Sequence, residues 1–167
     1  MKQRYDATEF SAVRYYATSG GLGSAETDAR IAYYDINGFP TVMFDGTIDI
    51  VGGSAETATG ATYDPVVAHE IGVPSPFRIR VNGFDLVQPD GSIDFDVIVE
   101  ETLPDIGNVK IRALVLENNV PWGTSEIMQD VTRDVLPDVA LTVSQYGQVQ
   151  NVQANFALDP AWKTTDL

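Results

Sequence analysis

Two grammars of apolar and polar positions divide the chain. In its first part helical and strand periods are mixed. Phe10-Ser11-Ala12-Val13-Arg14-Tyr15-Tyr16 is aromatic and β-branched, predicting a strand that Gly20-Gly21-Leu22-Gly23 ends. Ser24 reads as a helix N-cap, with Glu26 and Asp28 at the positive end of the helix dipole. Ala29, Ala32, Tyr33 and Ile36 recur at helical spacing and predict one buried stripe, and Asn37-Gly38 reads as its left-handed end. Residues 41–44 read as a buried strand. Asp45-Gly46 turns it, and Ile48-Asp49-Ile50-Val51 pairs back as a hairpin. A polar loop after Gly52-Gly53 leads to a helix predicted over 63–71, with Pro65 in its first turn.

Pro74-Ser75-Pro76 is stiff and extended, and places a domain boundary between 1–74 and 75–167. Beyond it strict alternation takes over. Phe77, Ile79 and Val81 alternate with Arg78, Arg80 and Asn82; Ile93, Phe95, Val97 and Val99 alternate with Asp94 and Asp96. Val109, Ile111, Ala113, Val115 and Glu117 continue the pattern, residues 139–143 and 149–158 add two more candidate strands, and turn signals at Pro89-Asp90-Gly91, 105–108 and 146–148 separate the runs. Short strands so spaced predict an antiparallel β-sandwich with one wet face per sheet. Residues 120–136 are expected to form a long, partly ordered crossing. The expected class is therefore α+β: a small α/β lobe, then an Ig-like β-sandwich.

Composition narrows the functions. The chain has 167 residues, of which 44% are apolar, and this supplies a core for one large or two small domains. A net charge of −14 argues against nucleic acid or an anionic membrane as partner. Asp outnumbers Glu sixteen to eight and Lys occurs three times, a balance that suits secreted proteins and equally serves plain solubility. With no cysteine there is no disulfide, thiolate nucleophile or Cys-bound metal in this chain, and no apolar run is long enough to span a membrane as a helix. The opening residues lack the apolar core of a signal peptide, which suits either a cytoplasmic protein or a mature or trimmed piece of something longer, and 161–167, reading as the start of a further element, favours the second.

The succession Phe39-Pro40-Thr41, strand, Asp45-Gly46, strand, Gly52-Gly53 and helix is similar to the second half of a thioredoxin-like domain, in which a cis X-Pro bond precedes a buried strand. With the β-rich part that follows, the chain resembles the Omp28-related thioredoxin-like surface proteins of bacteria. The residues that carry the resemblance are Arg30, Tyr33, Tyr34, Pro40 and Thr41, the run Ala113-Leu114-Val115-Leu116-Glu117-Asn118-Asn119-Val120, and Val131-Thr132-Arg133-Asp134-Val135-Leu136-Pro137. It implies a partial thioredoxin-like lobe followed by the sandwich, in an extracellular, cell-surface or periplasmic setting. The Cys-x-x-Cys of that fold's redox enzymes would lie upstream of Phe10.

Candidate sites are few. Phe39, Pro40 and Thr41 offer either a peptide-docking edge or a geometric turn; Trp122, in a polar, Gly-containing loop, is the aromatic residue expected to stand exposed. His69 is a lone histidine in a short helix, a surface or structural residue in preference to a zinc ligand. The groups Asp45/Asp49, Asp90/Asp94/Asp96 and Asp130/Asp134/Asp138 carry oxygen ligands suited to calcium, yet none has EF-hand spacing. No motif of a Ser or Lys nucleophile is present, and no cofactor is implied. The leading expectation is a non-catalytic extracytoplasmic surface, assembly or binding protein that self-associates, or takes a strand from a protein partner, at open sheet edges. The alternatives are a thiol-disulfide oxidoreductase whose Cys-x-x-Cys lies upstream, and a carbohydrate- or peptide-binding module.

Overall fold

The computed structural model describes Tyr5, residues 10–52 and residues 56–167, the side chains of 56–60 excepted. The chain forms two compact units, Met1–Pro74 and Ser75–Leu167. Strand accounts for 38% and helix for 15%, and all the described sheets are antiparallel.

In the first unit, helix α1 (Ala25–Tyr33) begins at the Ser24 cap through a reciprocal box with Thr27. The fully buried Thr27 hydroxyl accepts from Ser24 N and donates toward Tyr16 O, 2.7 Å away, while Asp28 accepts from the Thr18 backbone N–H and hydroxyl. Residues 16–18 thus spend their polar groups on the start of α1. For that reason the strand predicted over 10–16 does not form beyond a single bridge residue at Arg14. The helix ends at Tyr33, four residues before Asn37. Asp35, at φ 52°, takes the left-handed position, and Ile36 N bonds back to Ile31 O. The predicted stripe is also rotated: Ala29, Ala32 and Tyr33 are exposed, and Thr27 is the buried position.

Strands β1 (Thr41–Phe44) and β2 (Ile48–Val51) form the predicted hairpin, with positive φ at both Asp45 and Gly46. One hairpin face, with Val42, Phe44, Ile48 and Ile50, packs against Tyr63 and Val67 of helix α2 (Glu56–Ile71); the Phe44 and Tyr63 rings meet edge-on at 5.7 Å. Pro65 sits deep inside α2, where a proline costs about 3 kcal/mol. Tyr63 and Val67, four residues apart on the buried side, provide the packing that offsets it.

The thioredoxin-like assignment is therefore corrected. Its local elements are present, but β1 and β2 pair only with each other, and among the described residues no further strand joins them into the multi-stranded α/β sheet of that fold. The protein is mostly β, with two α-helices among the described residues.

The second unit is built on β3 (Phe77–Val87), β4 (Asp90–Val99) and β11 (Val149–Ala157), with β4 in the middle. Phe95, Val97 and Val152 on one face meet Leu141, and around them pack Leu103, Ile106, Val109, Ile111 and Val139. Those residues lie on or near a short ladder, β5 (Lys110–Ile111) with β10 (Val139–Ala140). The stretch 120–136 is more ordered than expected. It forms the hairpin β7 (Val120–Trp122) and β8 (Glu126–Met128), then β9 (Val131–Val135), which pairs with β6 (Leu114–Glu117). Asn119 and Gln129 clasp the hairpin's base through their amides. Residues 163–166 fold back onto it, with Asp166 O accepting from Asn118 N and Lys163 N donating to Glu117. These antiparallel sheets are compatible with a β-sandwich, but one sheet of three strands with two-stranded ladders is not the pair of broad sheets of an Ig-like domain.

A bulge between Val115 and Leu116 leaves Arg133 without a cross-strand partner, and its Nε donates to the buried Glu117 carboxylate at 2.6 Å. Thr132 beside it is 1% exposed, and its hydroxyl has no hydrogen-bond partner among the described residues. Opposite outcomes are expected from neighbouring substitutions. Arg133→Met strands the Glu117 charge and should cost about 3–5 kcal/mol in urea unfolding. Thr132→Val, which keeps the shape and removes an unpaired hydroxyl, should stabilise by about 1–2 kcal/mol in the same measurement.

Candidate functional site

Helix spacing assembles the most concentrated chemistry of the first unit. Arg30, Tyr33 and Tyr34 stand at i, i+3 and i+4, so they share one flank of α1. The Arg30 guanidinium carbon lies 4.6 Å from the ring centroids of both Tyr33 and Tyr34 and 6.0 Å from that of Tyr15, and its Nη2 donates to the Tyr34 hydroxyl at 2.6 Å. Among the described residues no carboxylate pairs with Arg30, and its Nε is buried without a partner. Tyr33 meets Tyr34 edge-on and is 73% exposed.

This cluster borders an open depression of about 520 Å³, to which Asp35, Met43, Asp45 and Gly46 also contribute. A second, of about 500 Å³, adjoins it along Asn37, Gly38, Thr41, Asp49 and Val51. Tyr34, Asp35 and Met43 line both, and the second also draws on Thr41, Asp49 and Val51, which with Met43 form the hairpin face opposite the one that packs on α2. Two of the residues lining the first depression, Asp35 and Asp45, hold left-handed backbone.

The sequence-chosen residues fall beside this place or away from it. The Phe39-Pro40 bond is cis, the Thr41 hydroxyl donates to Gly38 O at 2.7 Å, and Pro40 O accepts from Gly52 N at 2.7 Å. Thr41 lines the second depression, and Phe39 is exposed beside it at 64%. Trp122 belongs to the other unit, at 42% exposure on the β7–β8 hairpin, where it pairs with Glu126. His69 is exposed, with Nδ1 2.9 Å from Glu70. Arg30 and Tyr34 are singled out through a resemblance, and Tyr33 also reads as part of a buried stripe; the i, i+3, i+4 spacing of the three carries the signal. Asp45 reads as a turn residue and, with Asp49, as a candidate calcium ligand; Asp35 is not singled out, and nothing local to it points to a shared depression.

The second unit offers two surfaces. The first is the polar face of the three-stranded sheet. Asn151 Nδ2 bridges Asp94 and Asp96 at 2.8 and 2.9 Å, Asn82 and Gln153 also donate to Asp94, and Arg80 donates to Asp96. These bonds hold both carboxyls below the usual aspartate range: for Asp94 those from Asn82 and then Asn151, for Asp96 those from Asn151 and then Arg80. Asp138 is lowered likewise, first by the bond from Arg112. Two of the three aspartate groups are thus engaged by side-chain donors, and among the described residues no three acidic or histidine side chains converge as a metal site.

The second surface is the outer edge of β3. Ile79, Val81 and Phe84 lie on the face that carries Phe95 and Val97, yet they are 64%, 56% and 71% exposed. Alternation predicted a buried row here. The packing that covers β4 and β11 reaches β3 only at Phe77. Among the described residues no strand pairs with that outer edge.

A folded-state pKa below the unfolded value of about 3.8 contributes stability that is present above that value and is lost as pH falls through the folded one. Asn151→Leu removes donors from both carboxylates. The variant should be less stable than the native protein at neutral pH, and the gap should shrink as pH falls from about 5 to about 2.5 in denaturant titrations. No protein-family model matches the chain, and neither a curated protein nor a solved structure matches it.

Proposed function

We propose that this chain is a non-catalytic assembly protein that pairs with a second copy of itself along the outer edge of β3. The observation that supports the reading is the exposed row Ile79, Val81 and Phe84, which continues the apolar face of the three-stranded sheet. A strand edge with free backbone groups and an uncovered apolar row is a template for another strand. A second copy suits it because antiparallel pairing about a two-fold axis sets the same apolar row against itself, burying both at once. Arg78 and Arg80, which would otherwise guard the edge, are drawn onto the sheet's other face by Glu100 and Asp96.

An extracellular, cell-surface or periplasmic setting is part of the proposal. It rests on the resemblance of segments 113–120 and 131–137 and on the Asp-rich, Lys-poor composition. No helix among the described residues is long and apolar enough to cross a membrane.

Two copies of a chain carrying −14 repel one another, so association should tighten with screening. Sedimentation equilibrium from about 1 to about 500 µM protein should show a dimer whose Kd falls as salt rises from about 0.05 to about 0.5 M. Val81→Lys should leave a folded monomer. A native chain that stays monomeric throughout, or a Val81→Lys chain that still dimerises, would remove the basis of this reading.

A further inference from the structure

We propose that the depression beside α1 is a saccharide-binding site for a neutral oligosaccharide, with Tyr33 as its platform and Arg30, Asp35 and Asp45 as its hydrogen-bonding groups. The case is independent of how copies associate. The charges decide the ligand class. A cation would be repelled by Arg30, which among the described residues has no carboxylate to neutralise it, and an anion by Asp35 and Asp45. A neutral ligand avoids both costs, but only one with donors and acceptors side by side can use both signs. Each sugar hydroxyl is a donor and an acceptor at once, so adjacent hydroxyls can give to an aspartate and receive from the guanidinium.

The aromatic geometry agrees. The Tyr33 ring is largely open to solvent, held by Arg30 on its face and by the edge of Tyr34, and a ring so fixed loses little entropy on binding. A pyranose offers an axial C–H face to such a ring while its hydroxyl rim reaches outward. Gly46, at φ 74°, lies 3.5 Å from the Tyr34 ring when measured from the place a Cβ would take, so the turn supports that ring without filling the depression. Asp35 and Asp45 both line the depression from left-handed backbone positions, and the Asp35 carboxylate accepts from Asn37 Nδ2 at 3.3 Å. The opening is broad and shallow, a shape suited to part of a chain of sugars.

The test uses the full chain in ¹H–¹⁵N spectra, titrated with cellotetraose, maltotetraose, mannotetraose and the tetramer of N-acetylglucosamine. Tetragalacturonate, tetralysine and a neutral Gly-Ser peptide are the controls. At least one neutral tetrasaccharide should shift the amides of 30–36 and 43–46, saturating below about 10 mM. Tyr33→Ala, at an exposed ring, should weaken that binding by about tenfold or more with the melting temperature unchanged. Asp45→Asn, which tolerates the same backbone, should weaken it as well and should admit weak binding of tetragalacturonate, because one of the two charges that exclude anions is gone. Failure of all four neutral sugars, binding of the peptide or of a charged control in their place, or unchanged affinity in Tyr33→Ala overturns the proposal.

Discussion

Strand β4 is hydrogen-bonded along both edges and buried on both faces from Phe95 to Val99, and the second unit is organised by that constraint. On one face it demands apolar cover, which 103–113 and 139–143 provide. On the other it carries Asp94 and Asp96, and burying a carboxylate requires donors. Arg80, Asn82, Asn151 and Gln153 arrive from the two flanking strands at the registers that meet this need. A slip of one residue in either neighbour would put apolar side chains against the aspartates and polar ones in the core. The polar network thus fixes the register of a sheet whose apolar face alone would specify it less firmly.

The first unit solves a smaller problem with fewer apolar residues. Its hairpin has one face committed to α2, and the other is left to line the depressions beside α1. The polar groups of residues 16–18 are tied to the first turn of α1 by Thr27 and Asp28. This tie orders the approach to the helix without a sheet, and it also holds the flank on which Arg30 and the tyrosines stand. The same economy leaves Arg30 without an acidic partner among the described residues and Tyr33 in solvent, the two features that give this unit its chemistry.

Local signals were legible wherever one residue type has one backbone use. Ser24 marked the helix start, Asp45-Gly46 the hairpin turn, and Pro89-Asp90-Gly91 the reversal between β3 and β4. The strict alternation over 93–99 and 149–157 gave β4 and β11 and the correct core face, because period-two patterns report burial on one side of a sheet. The pattern failed where burial depends on a distant segment. Ile79 and Val81 alternate like core residues but meet no cover, Asp96 reads as a surface residue but is buried, and the stretch 120–136 is ordered by Gln129 and the chain's last residues.

The sequence by itself determined the caps, turns and strand periods, since these follow from the conformational limits and side-chain reach of neighbours in the chain. It could not determine which strands share a sheet. The succession over 38–71 is compatible with a thioredoxin-like half; the mostly-β content and, among the described residues, the pairing of β1 with β2 alone overturn it. Nor could it place Asp35 and Asp45 on the rim of one depression with Arg30 and Tyr33, or leave the β3 edge uncovered. Those outcomes belong to tertiary structure, because partners far apart in the chain are chosen by the packing of whole faces and no single segment carries that information.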